Sequence, residues 1–160
     1  MAKTIANVLV GVATLEFKYP IGGAYLEVGY TEDGVRLEYT ADTSDIEVEE
    51  ETFPIERVIT KETLAIVCNM AESSLTNIDK AVAGSVLAGA VITIGGGAIK
   101  EMSIRLTGTN PAGGNRVVEI PLATAVGAVG MAYRKGEKTV VPVTFQALKG
   151  AADVCTITDS

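Results

Sequence analysis

The sequence predicts a mainly β protein: an antiparallel β-sandwich with one flanking α-helix and a long projecting loop. Three observations carry this. Apolar residues alternate with polar ones at period two in several separate segments, the pattern of strands with one buried face. Turn-forming clusters of Gly, Pro, Asn and Asp punctuate those segments. Helical spacing is convincing in one short stretch only. With 160 residues and 48% apolar content, the chain suits one hydrophobic core and is short for two, so a single domain over 1–160 is expected.

Ile5–Ala13 reads as a first strand or arm, and the Pro20–Gly23 sequence PIGG as a turn. The Asp33-Gly34 pair in TEDG predicts a tight hairpin between strands over Ala24–Tyr30 and Val35–Thr40. In the second of these, Val35, Leu37 and Tyr39 alternate with Arg36, Glu38 and Thr40. Leu64, Ile66, Cys68 and Met70 alternate in the same way with Thr63, Ala65, Val67 and Asn69.

Between these two strands lies an acidic, threonine-rich insert, Thr40–Thr60, TADTSDIEVEEETFPIERVIT. Ile46 and Val48, flanked by Asp45, Glu47, Glu49 and Glu50, make it too apolar and β-branched for an inert linker. It is expected to be a projecting hairpin or arm that needs a surface to land on. Pro54 should flank or interrupt a strand there, because it cannot donate to a ladder. Phe53 and Ile55 adjoin Pro54, and Ile55, Val58 and Ile59 offer a second limb with Glu56 and Arg57 exposed.

The helix is expected to begin near Asn69 as N-cap, with Glu72 completing a capping box. Ala71, Leu75, Ile78 and Val82 recur at helical spacing and form the face that packs on a sheet. Glu72, Ser73, Asp79 and Lys80 are expected to face elsewhere. Strands follow at Gly89–Ile94, at Lys100–Thr107 and from Arg116 through Leu122, the last extended across Ala123–Met131. The Thr109–Asn115 stretch and the KGEK of Lys135–Lys138 read as turns. Strands at Val140–Ala147 and Val154–Thr158 complete the pattern.

Composition restricts the chemistry. With no histidine, a His-dependent nucleophile triad and a His-bound metal are excluded. Glu49, Glu50 and Glu51 form a charge run without the spacing and turn glycine of a calcium loop, so it reads as a solvated face. Gly95, Gly96 and Gly97 lack the spacing and following helix of a phosphate cradle and read as an interstrand connection. No catalytic residue, cofactor or metal is expected, and the protein is read as a non-enzyme. Cys68 and Cys155 stand far apart without a CxxC pattern; free thiols are expected, although sequence leaves a bridge between them open. The amino-terminal apolar run is broken by Gly11, and Val82–Ile99 is broken by Ser85 and the glycines. Neither matches a signal peptide or a membrane helix, so a soluble protein made in the cytoplasm is expected. A formal charge of −7 opposes tight binding to a phosphate backbone.

The order of elements resembles the major tail tube protein of long-tailed bacteriophages. The segments that carry the resemblance are GVRLEYT (Gly34–Thr40), DIEVEE (Asp45–Glu50) and ETLAIVCNMAESSLTNIDKAV (Glu62–Val82), then TVVPVTFQALKG (Thr139–Gly150) and CTITDS (Cys155–Ser160). The resemblance implies a β-sandwich subunit that forms hexameric rings with an inner β-barrel, stacked into a hollow tube in the phage tail. Thr40–Thr60 would then be the inter-ring or inter-subunit loop, with Glu62–Val82 the strand and outer helix. The implied partners are further copies of the chain and the tape-measure, tail-tip and terminator proteins. DNA would pass through the lumen without specific binding, past a surface of net negative charge, and no membrane is engaged by the tube body. The acidity of this insert departs from the family pattern and calls for a basic landing surface, for which Arg105, Arg116 and Lys138 are candidates. An inner-tube protein of a contractile injection apparatus, a tail-terminal connector and a β-sandwich decoration module on the virion are the alternative readings.

Overall fold

A computed structural model describes residues 11–150 and 153–160. The expected amino-terminal strand at Ile5–Ala13 lies, except for its last three residues, outside the described residues. The described elements are β1 (Thr14–Lys18), β2 (Tyr25–Glu27), β3 (Thr31–Ile46), β4 (Glu56–Met70), α1 (Leu75–Ala81), β5 (Ser85–Ala88), β6 (Val91–Ile94), β7 (Glu101–Thr109), β8 (Asn115–Val126), β9 (Val141–Ala147) and β10 (Thr156–Asp159). The fold is mostly β and antiparallel, with one flanking helix. Eight strands lie in one hydrogen-bonded sheet of order β2-β1-β7-β8-β9-β4-β3, with β10 also paired to β8. The two sheets expected of a sandwich are therefore joined into one path, and among the described strands only the β5–β6 hairpin stands apart from it.

β8 makes that continuity possible. Its first half pairs with β10 and its second half with β9, while β7 runs along its other edge. The register shifts between Met102↔Ala123 and Ile104↔Ile120, leaving Pro121 and Leu122 opposite Ser103 alone. A bulge is a site where a strand tolerates proline, whose nitrogen cannot donate. The Pro121 carbonyl is still satisfied, accepting from Ser103 Oγ at 2.7 Å. The extra residue also reverses parity: the buried apolar residues are Val118 and Ile120 before it, and Ala123 and Ala125 after it. One strand can thus keep an apolar face inward across a bend. The core is a single cluster drawing on Leu15 and Phe17 of β1, Ile66 and Met70 of β4, Ile104 of β7, Ile120 of β8, Phe145 of β9 and Ile78 of α1.

Asp33-Gly34 is not the expected hairpin turn. β2 pairs with β1, and β3 runs on through the dipeptide. Asp33 and Gly34 both have positive φ, 60° and 77°, as such pairs do in tight turns. Here they form a two-residue bulge between Glu32↔Asn69 and Val35↔Cys68. The local conformational signal was correct; its use was decided by the long partner strand β4.

The helix start also differs from expectation. Asn69 sits inside β4, opposite Glu32 and Pro142, because burying Met70 in the core carries the strand past it. The cap is Ser74, whose hydroxyl accepts from the Asn77 N–H at 3.2 Å. Glu72 instead accepts from the Tyr30 N–H at 3.1 Å. Ala71 lies before the helix and Val82 is its C-cap. Of the residues assigned to the packing face, Ile78 is buried (9% exposed) but Leu75 is 41% exposed. Asp79 and Lys80, expected to face away from the packing stripe, are buried as well. The reason is the β5–β6 hairpin, whose first strand was not anticipated and which contacts α1. Its base is closed by the glycine triplet: Gly84 O accepts from Gly95 and Gly97 N–H at 3.0 and 3.2 Å. A Cβ on Gly97 would sit 2.8 Å from that same carbonyl oxygen, so the close approach requires glycine there.

Candidate functional site

The insert forms the distal half of the β3–β4 hairpin. β9 pairs with β4 only over Ala65–Met70. Beyond that point β3 and β4 have, among the described residues, no neighbours in the sheet but each other, so Thr40–Ile46 and Glu56–Thr63 leave it as a two-stranded ribbon. At about 3.3 Å per residue the strands of the ribbon project roughly 20 Å. One bulge interrupts it: Thr60 lies between Asp42↔Lys61 and Thr43↔Ile59, its hydroxyl donating to Asp42 O at 3.1 Å. Pro54 lies just ahead of β4, as its missing donor requires, and Ile55 N–H donates to Ile46 O at 2.9 Å to close the tip.

The register places apolar side chains on both faces of this ribbon. Tyr39, Leu64 and Ile59 continue the face that, nearer the sheet, carries Leu37 and Ile66. Ile46 and Val58 lie on the opposite face. Ile46, Val48, Ile55, Val58 and Ile59 are all exposed, and Phe53 at the tip is 80% exposed. Arg57 anchors the tip by donating from Nε and Nη2 to both oxygens of Asp45. Donation from Arg57 holds the Asp45 carboxyl below its ordinary value. An isolated two-stranded ribbon is marginally stable in water, and apolar surface on both faces adds a reason for burial against other chains.

The acidic tip has no cation of its own. Among the described residues Glu47, Glu49, Glu50, Glu51 and Glu56 make no ion pair, and the Arg57 charge is taken by Asp45. The three basic residues read as candidate landing points are already engaged. Arg105 Nε donates to Glu16 at 2.6 Å and its guanidinium lies over the Tyr25 ring. Arg116 makes a two-point contact with Asp159, and Lys138 lies 3.2 Å from Glu32. In each of these pairs one cation is balanced by one carboxylate of its own chain, which leaves no surplus positive charge to receive another.

At the root of the arm an open groove of about 700 Å³ is lined by Leu37, Tyr39, Leu64, Leu148, Cys155 and Ile157 among others. Cys155 and Cys68 are both free thiols. Burial pushes the Cys68 thiol up to about 12, and it raises Cys155 as well. Both shifts disfavour the thiolate, which is the reactive form, and the effect is larger at buried Cys68 than at half-buried Cys155.

Sequence reasoning missed a buried polar cluster between α1 and the β5–β6 hairpin. Lys80 Nζ donates to Asp79 Oδ2 at 2.8 Å, and Lys100 Nζ lies 3.2 Å from Asp79 Oδ1. Lys100 also donates to Ser85 O, and Ser85 Oγ donates to Asp79 at 2.9 Å. Burial alone would raise the Asp79 carboxyl, but donation from Lys80, Ser85 and Lys100 overrides it and holds the group below its ordinary value. The cluster draws on residues distant in sequence, so its members were visible beforehand only as separate residues and not as a group.

Among the described residues no group of three or more His, Cys, Asp or Glu is placed to hold a metal ion, and no helix is long and apolar enough to cross a membrane. No protein-family profile and no curated protein matches the chain. Solved structures do. A chain from the tail of an empty gene transfer agent particle, with C6 symmetry, aligns at TM-score 0.53 and 9% identity over 99% of both chains. A chain from the virion of a native gene transfer agent particle aligns at 0.51 and 11%, over 98% of this chain and 99% of that one. A chain from the baseplate of the anti-feeding prophage aligns at 0.55 and 11%, over 100% of this chain and 94% of that one. At such identities the likeness is one of fold, and it runs end to end: this chain is folded like components of tail-like and injection-system particles.

Proposed function

We propose that this chain is a self-assembling structural subunit of a phage-type tail tube, in which hexameric rings close an inner barrel and stack into a DNA channel. The observation that carries the reading is the arm over Thr40–Thr60, apolar on both faces and bearing six carboxylates that make no ion pair among the described residues. Such a ribbon is built to lie between surfaces supplied by other copies. The end-to-end fold likeness to a chain from a C6-symmetric tail supports it. Tape-measure, tail-tip and terminator proteins are the partners this role entails in the virion, after synthesis in the host cytoplasm. The DNA passes without specific binding, since each Lys–phosphate contact would have to be broken during transit.

A second reading, a tube-like component of a contractile injection apparatus, is favoured by the likeness to the anti-feeding prophage baseplate chain. Negative-stain microscopy of the purified protein across a concentration series tests both. Rings or tubes are expected, and monodisperse monomers at every concentration would overturn the assembly reading. A contractile-sheath gene beside this one would favour the second reading over the first.

A further inference from the structure

The acidic arm tip needs a cationic receptor, and half-buried Arg105 and Arg116 and exposed Lys138 are each charge-balanced by a carboxylate of their own chain. The buried cluster beneath the β5–β6 hairpin has charge and donors to spare. Two ammoniums, Lys80 and Lys100, share one carboxylate, Asp79. The side chains are 7%, 9% and 2% exposed by residue, so the surplus positive charge sits where water screens it weakly. Lys100 is saturated: Ser85 O, Ser85 Oγ, Asp79 Oδ1 and Val82 O all lie within reach of its three N–H groups. Lys80 is not. Its ammonium has one hydrogen-bond acceptor among the described residues, Asp79 Oδ2, and lies over the Tyr19 ring, 4.3 Å from its centroid.

These groups floor a recess of about 330 Å³, rimmed by Tyr19, Val86, Leu87 and Ala98. That volume lies at the small end of ligand pockets, roughly 300–1,000 Å³. A cationic floor under an apolar rim fits a carboxylate carried next to apolar side chains. The arm tip has that composition, with Glu47, Glu49, Glu50 and Glu51 set beside Val48 and Phe53. A nucleic-acid phosphate fits less well, because a diester and its sugars gain nothing from the apolar rim and the chain carries −7 overall. Among the described residues the tip carboxylates make no ion pair, and a second copy is the source of the carboxylate that the recess would take.

We propose that the recess between α1 and the β5–β6 hairpin is the receptor for a glutamate of the arm tip of a second copy, held by the spare donors of Lys80. This deepens the assembly reading above and rests on it. Lys80 is a poor residue to test by substitution, since its loss leaves Asp79 short of a partner and the fold is at risk. Cross-linking avoids this. In a Cys155→Ser background, full-length protein carrying Val86→Cys on the exposed rim is mixed with protein carrying Glu49→Cys, Glu50→Cys or Glu51→Cys. Disulfide formation between the two, told apart by a size tag, is read after mild oxidation. At least one tip position should cross-link to Val86→Cys about tenfold more than to Ile157→Cys at the arm-root groove, reflecting a raised effective concentration. The preference should weaken as salt screens the encounter.

Equal yields at the two acceptor positions would overturn the proposal. Microscopy on the same samples separates it from the tube reading. Tubes without the preferred cross-link overturn the receptor and leave the tube; the cross-link without rings or tubes keeps the receptor and overturns the tube; absence of both overturns both. As a second measurement, replacing Glu49, Glu50 and Glu51 together by Gln alters only exposed side chains. It should raise the concentration needed for association about tenfold or more, and an unchanged value would show that tip carboxylates are not what the receptor holds.

Discussion

Replacing Asp79 by Asn keeps the shape of the buried cluster and removes its only negative charge. Two ammoniums would then face each other across a neutral amide, under a roof of two short strands. Breaking a buried ion pair by removing one partner costs about 3–5 kcal/mol, because the remaining charge is stranded. The thinness of the β5–β6 roof allows some relaxation, so the lower end, about 3 kcal/mol, is expected. For a chain of this length that corresponds to a fall in Tm of about 6–12 °C. Urea denaturation at pH 7, followed by circular dichroism, measures it directly. The pH dependence adds a second check. The Asp79 carboxyl is held below its ordinary value of 3.8 in the fold, so its contribution is fully present above that value. It is lost as the pH falls through the depressed folded value. The stability difference between the parent and Asp79→Asn should therefore shrink towards zero in that acid range. A cost below about 1 kcal/mol at pH 7, or a difference that grows on acidification, would refute the reasoning about the cluster.

Other perturbations have equally definite expectations. Ile78→Ala should cost about 2–5 kcal/mol, since Ile78 belongs to the buried core, whereas Leu75→Ala, at an exposed site, should cost under about 1 kcal/mol; equal losses in urea titrations would place the helix face wrongly. Replacing residues 46–56 by an Asn-Gly turn should preserve a β-rich circular dichroism spectrum and abolish assembly, because the described core draws nothing from that segment; an unfolded product would make the arm part of the fold. At pH 8 a thiol reagent should label half-buried Cys155 and spare Cys68 until the protein is denatured, given a Cys68 thiol raised to about 12 by burial; labelling of Cys68 in the native state at a rate like that of Cys155 would contradict its placement.

Period-two alternation was enough to locate most of the strands, because the face a strand residue meets depends on parity alone. β7, β9 and the inner halves of β3 and β4 were legible for that reason, as was the arm, whose exposed β-branched residues conflict with its acidity. Tertiary structure decided matters in which one local signal serves two uses. Asp33-Gly34 has turn conformation in either setting, and only the length of β4 makes it a bulge. Asn69 and Glu72 spell a helix start, yet burying Met70 extends the strand and passes the cap to Ser74. Asp79 and Lys80 read as lying off the packing face because a hairpin built from small and β-branched residues, Ser85–Ile94, has no helical or charged signature announcing that it will cover them. Local sequence thus determined which residues could alternate, turn or cap, while ladder partners distant in sequence determined which of those options was used. The cationic recess depends on such partners entirely: Lys80 and Lys100, twenty positions apart in the chain, meet only because β5 and β6 fold back between them.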